Sequence, residues 1–303
     1  MKNFENKIAV VTGGGHGMGR ELVRQLAAEG CHVATCDLNE AAMAETRDLA
    51  RADGLDARIT THECDVSDEE ALLAFRDQVV ERHDTDHIHL LFNNAGLSGG
   101  GSLFTASRAA WDRCFAVCWG GVYLGTRTFL PLLVAADEGH IINTSSVNGF
   151  WASLGPERPH TAYSAAKFAV KGFTEALITD LRMNAPHVQA SVVMPGHIGT
   201  SIVANSAKYG ADEIPEDMAP MMEMAAELFR TEAPMSAADA ATVILDGVRA
   251  EQWRILVGDD AHGLDAAVRA NPEQAYDGSG FLEAFREAGG KSPLRNSPTT
   301  PII

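Results

Sequence analysis

The segment that most constrains the fold of this chain lies close to its N-terminus, where an apolar run meets a cluster of glycines. Residues 7–12 have the length and composition of a buried strand. The turn that follows has the pattern TGxxxGxG, formed by Thr12, Gly13, Gly17 and Gly19. The next residues repeat at helical spacing: Leu22, Val23 and Leu26. A strand, a glycine-rich turn and a helix start form a cradle for phosphate, because glycine allows close approach and the helix start offers free N–H groups. The alternative is a glycine-rich turn without a ligand.

Three further apolar segments end in polar or glycine residues. Segments 32–36, 59–64 and 88–92 are followed by Asp37, by Asp65 and by Asn93-Asn94-Ala95-Gly96. The carboxyl ends of parallel strands lie at one edge of a sheet, and ligands bind there at the topological switch point. The sequence therefore predicts an α/β protein with a Rossmann-type, doubly wound parallel sheet in three αβα layers.

Asp37 lies about 20 residues beyond the glycines, where a carboxylate can accept hydrogen bonds from the adenosine ribose of a dinucleotide. The same charge would repel a 2′-phosphate, so the residue favours NAD over NADP. A second interpretation is that Asp37 caps the helix that begins at Leu38-Asn39-Glu40.

Tyr163 and Lys167 are four residues apart, which on a helix places them on one face about 6 Å apart along the axis. An ammonium group beside a phenol favours the phenolate, so we expect Lys167 to lower the pKa of Tyr163. A tyrosine adjusted in this way can act as a general acid or base. Taken alone, the spacing also occurs by chance in helices.

Six short patterns in a fixed order resemble the short-chain dehydrogenase/reductase family. They cover residues 7 to about 200 and comprise TGxxxGxG at residues 12–19, Asp65, Asn93-Asn94-Ala95-Gly96, Ser145-Ser146, Tyr163-x-x-x-Lys167 and Pro195-Gly196-x-Ile198-x-Thr200. Segment 255–260 is similar to the last strand of the family.

The resemblance implies a role for each matching residue. Those at the pyrophosphate and adenosine of the cofactor would be Thr12, Gly13, His16, Gly17, Met18, Gly19, Asp37, Leu38, Asp65 and Val66. Those nearer the nicotinamide would be Asn94, Ala95, Gly96, Tyr163, Lys167, Pro195, Gly196, Ile198 and Thr200. Ser146 would hydrogen-bond the substrate oxygen, Tyr163 would exchange a proton with it, and Lys167 would bind the nicotinamide ribose.

The activity implied is NAD-dependent interconversion of a secondary alcohol and a ketone, with a small molecule as substrate and a homodimer or homotetramer as the assembly. A different class remains open, in which the chain is a dinucleotide-binding regulator or scaffold that has lost catalysis. NADP dependence is a third alternative.

Cys118 is the first departure from the family pattern, because it occupies the position of a usual Asn in the helix after segment 93–96. Family members use that Asn in a proton relay toward the lysine. A cysteine keeps the backbone carbonyl but has a weaker hydrogen-bonding side chain, so we expect the relay to survive in a weakened form. The alternative is that Cys118 is a small apolar filler.

The second departure is the 17-position separation of Ser146 and Tyr163, which is longer than the family commonly has. The inserted residues 150–160 contain Pro and Gly, which predict a loop, together with Phe150 and Trp151. We expect Trp151 to line a substrate pocket; simple packing against the sheet is the alternative.

The region after Thr200 predicts a substrate lid over about residues 200–234 of a dehydrogenase domain spanning 1–260. It is rich in methionine, at Met218, Met221, Met222, Met224 and Met235, which favours a bulky apolar substrate such as a terpenoid, aromatic or steroid-like alcohol. Alternatively, these residues fill a helix core. Residues 261–303 form a C-terminal extension with helical patterns at 262–270 and 280–289, and it covers the substrate site, a neighbouring subunit or neither.

Composition limits the classes of partner. A formal charge of −17 argues against nucleic acid, and we expect no membrane interaction because no run of about 18 apolar residues is present. Residues 2–7 are polar and do not resemble a signal segment. Five cysteines without a CxxC pair indicate reduced thiols and a cytoplasmic protein, and no zinc-like ligand spacing is found, so we predict no metal.

Overall fold

Seven parallel strands form the central sheet of the computed structural model, which describes residues 1–52, 57–154, 159–211 and 216–277. The strand order is β3-β2-β1-β4-β5-β6-β9. The strands are β1 (Ile8–Thr12), β2 (His32–Asp37), β3 (Ile59–Glu63), β4 (Leu90–Asn93), β5 (Gly139–Thr144), β6 (Val188–Pro195), β7 (Ile198–Gly199), β8 (Met235–Ser236) and β9 (Arg254–Val257). Strands β7 and β8 form a separate two-stranded pair.

Helices cover both faces of the sheet. They are α1 (Gly17–Ala28), α2 (Glu40–Ala52), α3 (Glu69–His83), α4 (Arg108–Phe115), α5 (Gly121–Ala135), α6 (Thr161–Asn184), α7 (Ile202–Tyr209), α8 (Ala219–Thr231), α9 (Ala237–Arg249) and α10 (Asp259–Ala270). A π-helical turn (Ala116–Gly120) joins α4 to α5, and short 3-10 turns occur at Val147–Gly149 and Pro272–Gln274.

Alternation along β1 explains why the sheet needs two helical layers. All five residues of the strand are buried, but Ala9 and Val11 face one core while Ile8 and Val10 face the other. The first core includes apolar residues of α1 and α9, and the second includes those of α3, α5 and α6. A strand buried on both faces is typical of a parallel sheet covered by helices. The predicted three-layer, doubly wound fold in a single domain is confirmed.

The strand order reverses between β1 and β4, since the chain first adds β2 and β3 on one side and then returns to the other. This reversal opens a crevice between the loops that follow β1 and β4. The TGxxxGxG turn follows β1, and residues 94–96 follow β4, so the topology brings two of the predicted motifs together.

One helical run within the described residues, Arg108–Ala135, is long and apolar enough to cross a membrane by length and composition alone. Half of its most apolar window is buried inside the fold. Phe129 and Leu133 of this run are fully buried in the second core, where they pack with residues of the sheet. Its apolar side chains therefore contribute to the core of the domain.

The beginning of the C-terminal extension is ordered against the domain. The helical pattern expected at 262–270 lies within α10, which begins at Asp259 and so crosses the expected boundary between residues 260 and 261. The pattern expected at 280–289 lies outside the described residues.

We expect the protein to lose stability steeply as the pH falls from about 6.5 to about 4. Burial lowers the pKa of four histidines to about 4: His83, His89, His140 and His160. An unfolded chain takes up these protons near pH 6.5 but the folded protein only near pH 4, so the unfolded state binds more protons in this window. Within this window each histidine lowers the free energy of unfolding by about 1.4 kcal/mol per pH unit. Circular dichroism should show cooperative unfolding as the pH falls.

His140 offers the sharpest test of this prediction, because it is 1 % exposed and lies within the sheet. We expect His140→Asn to show a shallower dependence of the free energy of unfolding on pH than the wild type. The exposed His187 is the matched control, and His187→Asn should leave the slope unchanged. Equal slopes for all three proteins would contradict the prediction.

Candidate active site

The glycine-rich turn is shaped by close contacts that only glycine permits. Gly13 and Gly17 have positive φ angles of 72° and 53°, and a Cβ atom at Gly13 would lie 2.9 Å from the Cα atom of Ala95. A Cβ atom at Gly19 would overlap the carbonyl of Gly13. Among the described residues no side chain caps the start of α1, whose N-cap is His16. The first turn of α1 therefore keeps N–H groups available for an anion.

Thr12 joins the turn after β1 to the loop after β4. Its hydroxyl accepts hydrogen bonds from the backbone N–H groups of Asn94 and Ala95, both at 3.0 Å, and donates to the carbonyl of Phe92 at 3.3 Å. The Asn94 side chain donates to the Thr12 carbonyl at 3.1 Å, whereas its Oδ1 atom is buried without a protein partner among the described residues. An unpaired buried acceptor in a crevice is a place where a ligand donor can bind.

Asp37 ends β2 beside the glycine turn. Its Oδ2 atom accepts a hydrogen bond from the Gly15 N–H at 3.0 Å, and Oδ1 accepts one from the Asn39 N–H at 3.0 Å. Asp37 does not cap α2, because its Oδ1 atom bonds an N–H that precedes the helix, whereas the Asn39 side chain accepts from the Ala42 N–H in the first turn. Oδ2 faces the glycine turn. A carboxylate has about four acceptor positions, so it retains capacity for ribose hydroxyls.

The Asp65 carboxylate accepts three hydrogen bonds from protein groups. Although burial opposes its ionisation, hydrogen bonds from Ser67 and the nearby Arg113 guanidinium outweigh burial and lower its pKa. Arg113 lies 2.8 Å from Asp65 Oδ2 and also donates to the Ser67 hydroxyl at 2.7 Å. Val66 is buried against Gly121 of α5. The expected contact of Asp65 and Val66 with an adenine stays a prediction.

Ser146 and Tyr163 meet at the end of β5, where the chain passes from the sheet toward α6. The Ser146 hydroxyl lies near the Tyr163 phenol and acts to lower its pKa, and it accepts a hydrogen bond from the Asn148 N–H at 3.1 Å. Ser146 is 6 % exposed and Tyr163 is partly buried. Two hydroxyl groups therefore converge on one point, which is the arrangement needed to stabilise a developing oxyanion.

The expectation that Lys167 lowers the pKa of Tyr163 is wrong in this structure. Burial raises the pKa of the Tyr163 phenol, and the Ser146 hydroxyl opposes this effect without reversing it. Lys167 Nζ lies 5.4 Å from the centre of the Tyr163 ring and donates instead to the Thr144 carbonyl at 2.8 Å. The desolvation of the phenol outweighs the ammonium charge at that distance.

Lys167 is 2 % exposed, although lysine is rarely buried without a partner. A Cβ atom placed on Gly96 would lie 3.6 Å from Lys167 Nζ and 3.8 Å from Cys118 Sγ. The lysine therefore reaches the loop after β4, beside the thiol at the position of the usual family Asn.

Cys118 is hydrogen-bonded to the loop after β4 through the backbone N–H and carbonyl of Leu97. Its Sγ atom accepts from the Leu97 N–H at 3.4 Å and donates to the Leu97 carbonyl at 3.0 Å. A hydrogen bond from the Cys114 thiol, together with the nearby Lys167 ammonium, lowers the pKa of Cys118 despite its burial. Cys118 also lies in the π-helical turn 116–120, a kind of turn common at functional sites. Cys118 therefore makes specific hydrogen bonds and does more than fill space.

We expect Cys118→Ala to destabilise the protein by about 1–3 kcal/mol, because the buried Leu97 N–H and carbonyl would lose their partner. Cys118→Asn should cost less, since an amide can both donate and accept in the same place. Urea denaturation would measure both values, and turnover of the Asn variant would show whether the thiol limits proton exchange. Equal stability of the Ala variant and the wild type would contradict this account.

The Pro195-Gly196 motif lies where β6 ends, and the loop that follows is held by Asp260 and Phe229. Asp260 is 7 % exposed, and its Oδ2 atom accepts a hydrogen bond from the His197 N–H at 2.7 Å. The His197 ring packs against Phe229 of α8 with 4.3 Å between ring centres and an interplanar angle of 40°. A Cβ atom at Gly17 would lie 3.0 Å from the Thr200 side chain, so this loop closes over the glycine turn. The pair Asp259-Asp260, which follows the last strand after Gly258, was the available sequence signal for Asp260.

Trp151 binds the C-terminal extension. It is 7 % exposed, packs with Leu264 and Ala275, and donates its indole N–H to the Ala275 carbonyl at 2.8 Å. The backbone N–H of Ala152 donates to the Tyr276 hydroxyl at 3.0 Å. Asn148, which donates its N–H to Ser146, also donates its side-chain amide to the Trp151 carbonyl at 3.0 Å. The extension thus supports the loop that carries Ser146, while a contact of Trp151 with substrate stays a prediction.

We expect Trp151→Ala to lower the free energy of unfolding by about 3–5 kcal/mol, as large aromatic truncations in cores do. Trp151→Phe keeps most of the apolar contact but loses the bond to Ala275, at a cost of about 1 kcal/mol. Urea denaturation is the measurement, and Trp253→Ala is the matched control because Trp253 is 47 % exposed. Similar effects at the two tryptophans would show that the extension does not anchor this loop.

The parallel sheet, the uncapped glycine turn and the Ser146-Tyr163-Lys167 cluster together define an oxidoreductase of the Rossmann type. Residues 7–209 match the family model described as short chain dehydrogenase. The chain belongs to this family.

Relatives of the chain include oxidoreductases from several bacteria. SadH of Mycobacterium tuberculosis, a provisionally named oxidoreductase, is 36% identical over 270 residues, which cover 89% of this chain and 92% of SadH. Levodione reductase of Leifsonia aquatica is 31% identical over 219 residues, covering 71% of this chain and 78% of that protein.

The fold is also similar to that of solved structures. A short-chain dehydrogenase/reductase from Burkholderia phymatum in complex with NAD has a TM-score of 0.79 and 28% identity, with 99% of this chain and 100% of that chain covered. A crystal structure of levodione reductase has a TM-score of 0.70 and 25% identity, with 86% and 99% covered.

Proposed function

We propose that this chain is an NAD-dependent oxidoreductase that interconverts a secondary alcohol and a ketone. The observation that carries the proposal is the contact of the Ser146 hydroxyl with the Tyr163 phenol, beside the buried Lys167. These groups follow β5, at the same edge of the sheet as the glycine turn that follows β1. A proton-transfer site therefore lies on the same crevice as a phosphate cradle.

The residues present fit a dinucleotide. The glycine positions of the turn have no room for a Cβ atom, so the backbone is open to close approach by a ligand. The first turn of α1 keeps its N–H groups, and Asn94 Oδ1 is buried without a partner among the described residues. Gly13, Gly17 and Gly19 would hold the pyrophosphate and Asp37 the adenosine ribose. On the nicotinamide side, the residues that would hold the cofactor are Lys167, Pro195, Ile198 and Thr200. The relative from Burkholderia phymatum, whose structure contains NAD, supports the choice of this cofactor.

The bound nicotinamide would supply or accept the hydride, which leaves the protein to position the substrate and to move a proton. In the direction of reduction, the ketone oxygen gains negative charge, and the hydroxyls of Ser146 and Tyr163 stabilise it by hydrogen bonding. The Tyr163 phenol holds a proton at neutral pH, as a tyrosine with the ordinary pKa of about 10 does, and can donate it to the substrate oxygen as that oxygen gains charge. General acid assistance of this kind contributes about 10²–10⁴-fold. Lys167 holds a positive charge beside the phenol when that proton leaves.

A bulky apolar substrate is supported by the segment between β7 and β8. These two strands pair with each other, and α7 and α8 lie in the segment that they bracket, as expected for a lid over residues 200–234. Neither helix has a buried residue, and Met224 is 55 % exposed, which argues against the interpretation of the methionines as a helix core. Flexible apolar side chains at this place suit an adaptable apolar ligand.

The direct test is NADH formation from NAD with secondary alcohols of increasing bulk: cyclohexanol, phenylethanol, indanol and the terpenoid borneol. We expect turnover with at least one of them, with kcat/KM rising with apolar bulk. NADP in place of NAD should give slower turnover. Faster turnover with NADP would overturn the cofactor assignment.

The second candidate is a dinucleotide-binding regulator, favoured by the cysteine at position 118. Calorimetric titration with NADH separates the two functions. Binding of NADH without turnover of any alcohol or of the matching ketones would favour the regulator, and turnover would exclude it.

A homodimer or homotetramer is supported by an aromatic surface on α5 and α6. Tyr123 and Phe168 are 38 % and 41 % exposed, and Tyr123 stacks on Trp119 and meets Phe173 edge-on. Exposed apolar patches of this kind mark protein interfaces. Sedimentation of the wild type and of Phe168→Glu would test the assignment. The five cysteines are all unpaired and buried, which supports a reducing compartment such as the cytoplasm.

A further inference from the structure

His160 lies directly before α6 and has no part in the chemistry described above. It is 8 % exposed, and its imidazole stacks on the ring of Tyr163 with 4.6 Å between ring centres and an interplanar angle of 18°. The stack covers one face of the phenol that would donate the proton. Parallel rings in contact restrict each other's rotation, so the position of His160 bears directly on the direction of the Tyr163 hydroxyl.

A chain of hydrogen bonds leads from His160 to helix α7 in the proposed lid. His160 Nε2 lies 3.2 Å from the Ser98 hydroxyl, in the loop after β4. The backbone N–H of Ser98 donates to the Ser206 hydroxyl at 2.7 Å, and that hydroxyl donates to the Ile202 carbonyl at 2.6 Å. Ile202 and Ser206 both lie in α7. Helix α7 is therefore connected to Tyr163 through Ser98 and His160.

The chemistry of the imidazole argues for this connection and against simple filling of space. Burial lowers the pKa of His160 to about 4, so the ring is neutral near pH 7. Its Nδ1 atom is buried without a protein partner among the described residues, a cost that a phenyl ring in the same place would avoid. What the imidazole adds over a phenyl ring is the hydrogen bond between Nε2 and the Ser98 hydroxyl.

We propose that His160 is a positioning residue that holds the Tyr163 phenol by stacking and couples its alignment to α7 through Ser98 and Ser206. Ordering of α7 over a substrate would then tighten the same contacts that orient the proton donor. This inference rests on the proposed role of Tyr163 in proton transfer. The proposal adds His160, directly before α6, to the residues that determine the rate of turnover.

Three variants separate the two parts of the proposal. His160→Phe keeps the stacked ring but loses the bond to Ser98, His160→Ala loses both, and Ser206→Ala cuts the connection at α7 while leaving His160 unchanged. We expect kcat to fall about tenfold or more in His160→Ala, since small misplacement of a reacting group is costly. His160→Phe and Ser206→Ala keep the stacked ring but break the connection to α7, so both should raise KM and lower kcat by no more than about threefold relative to the wild type.

A second measurement does not depend on turnover. Nuclear magnetic resonance of protein containing isotope-labelled tyrosine can follow ionisation of Tyr163, whose signal is assigned by its loss in Tyr163→Phe. We expect the raised pKa of Tyr163 to persist in His160→Phe and to fall toward the ordinary value of about 10 in His160→Ala, because water gains access to the exposed face of the ring. Circular dichroism confirms that each variant is folded.

The possible failures are distinguishable. If His160→Ala leaves both kcat and the ionisation of Tyr163 unchanged, or if the Phe and Ala variants lose kcat equally, stacking does not position the phenol. If Ser206→Ala leaves KM unchanged, the coupling to α7 is wrong. Full turnover of Tyr163→Phe would instead overturn the proposed function, whatever the His160 variants show.

Discussion

Replacing Tyr163 with phenylalanine is expected to lower kcat/KM by about 10²–10⁴-fold, the usual contribution of a positioned general acid. The substitution removes one hydroxyl group and leaves the ring in its stack on His160. The loss arises because the substrate oxygen would keep its hydrogen bond from Ser146 but would have no proton donor as its charge develops. The measurement is steady-state reduction of the best ketone found in the substrate panel.

The affinity of the variant for NADH and its free energy of unfolding should change little. The substitution deletes a single hydroxyl group, and the packing around the ring remains. Tyr123→Phe is the matched control, since Tyr123 lies on α5 and its side chain is partly exposed. We expect that control to retain wild-type kcat/KM. A Tyr163→Phe enzyme that keeps more than about a tenth of the wild-type value would assign the proton to another donor.

Asp37→Asn is expected to change the ratio of kcat/KM for NAD to that for NADP by about 100-fold in favour of NADP. The carboxylate at the end of β2 faces the glycine turn, where it accepts a hydrogen bond from Gly15. A 2′-phosphate near it would experience repulsion of about 3 kcal/mol after screening by solvent, which corresponds to about 100-fold in affinity. The amide removes the charge while keeping nearly the same shape.

Glu40→Gln provides the matched control for charge. Glu40 is exposed in the first turn of α2, three residues from Asp37, and its loss removes the same formal charge from the surface. We expect the cofactor ratio to be unchanged in this variant. If both variants shift the ratio equally, the preference arises from the overall negative field of the protein and not from a contact at the ribose.

The order of the motifs made much of the architecture predictable. The strand at residues 8–12, the glycines after it and the polar ends of β2 and β4 are local features, and each depends on the conformational limits of a few neighbouring residues. The fold class follows, because alternating strands and helices permit few topologies. The convergence of Ser146 with Tyr163 was predicted from the family pattern, and both residues do meet after β5.

The contacts that the motifs did not predict join residues remote in sequence. Trp151 meets Ala275 across 124 positions, and Cys118 meets Leu97 across 21 positions. No local pattern specifies such a pair, because its formation depends on how loops and helices pack once the sheet has formed. The same limit applies to His160, whose stack on Tyr163 and bond to Ser98 arise where three segments meet.

The ionisation of Tyr163 shows which properties of the site the sequence decides and which the tertiary structure decides. By itself, the sequence determined that a phenol and an ammonium group share one face of a helix, because residue type and helical spacing are local properties. The resemblance to the family added the serine hydroxyl and implied a site next to the glycine-rich cradle. Only the tertiary structure decided the direction of the pKa shift: burial of the phenol outweighs the charge of Lys167, which bonds the Thr144 carbonyl instead. Desolvation depends on every atom packed around a group, and that packing exists only in the folded chain.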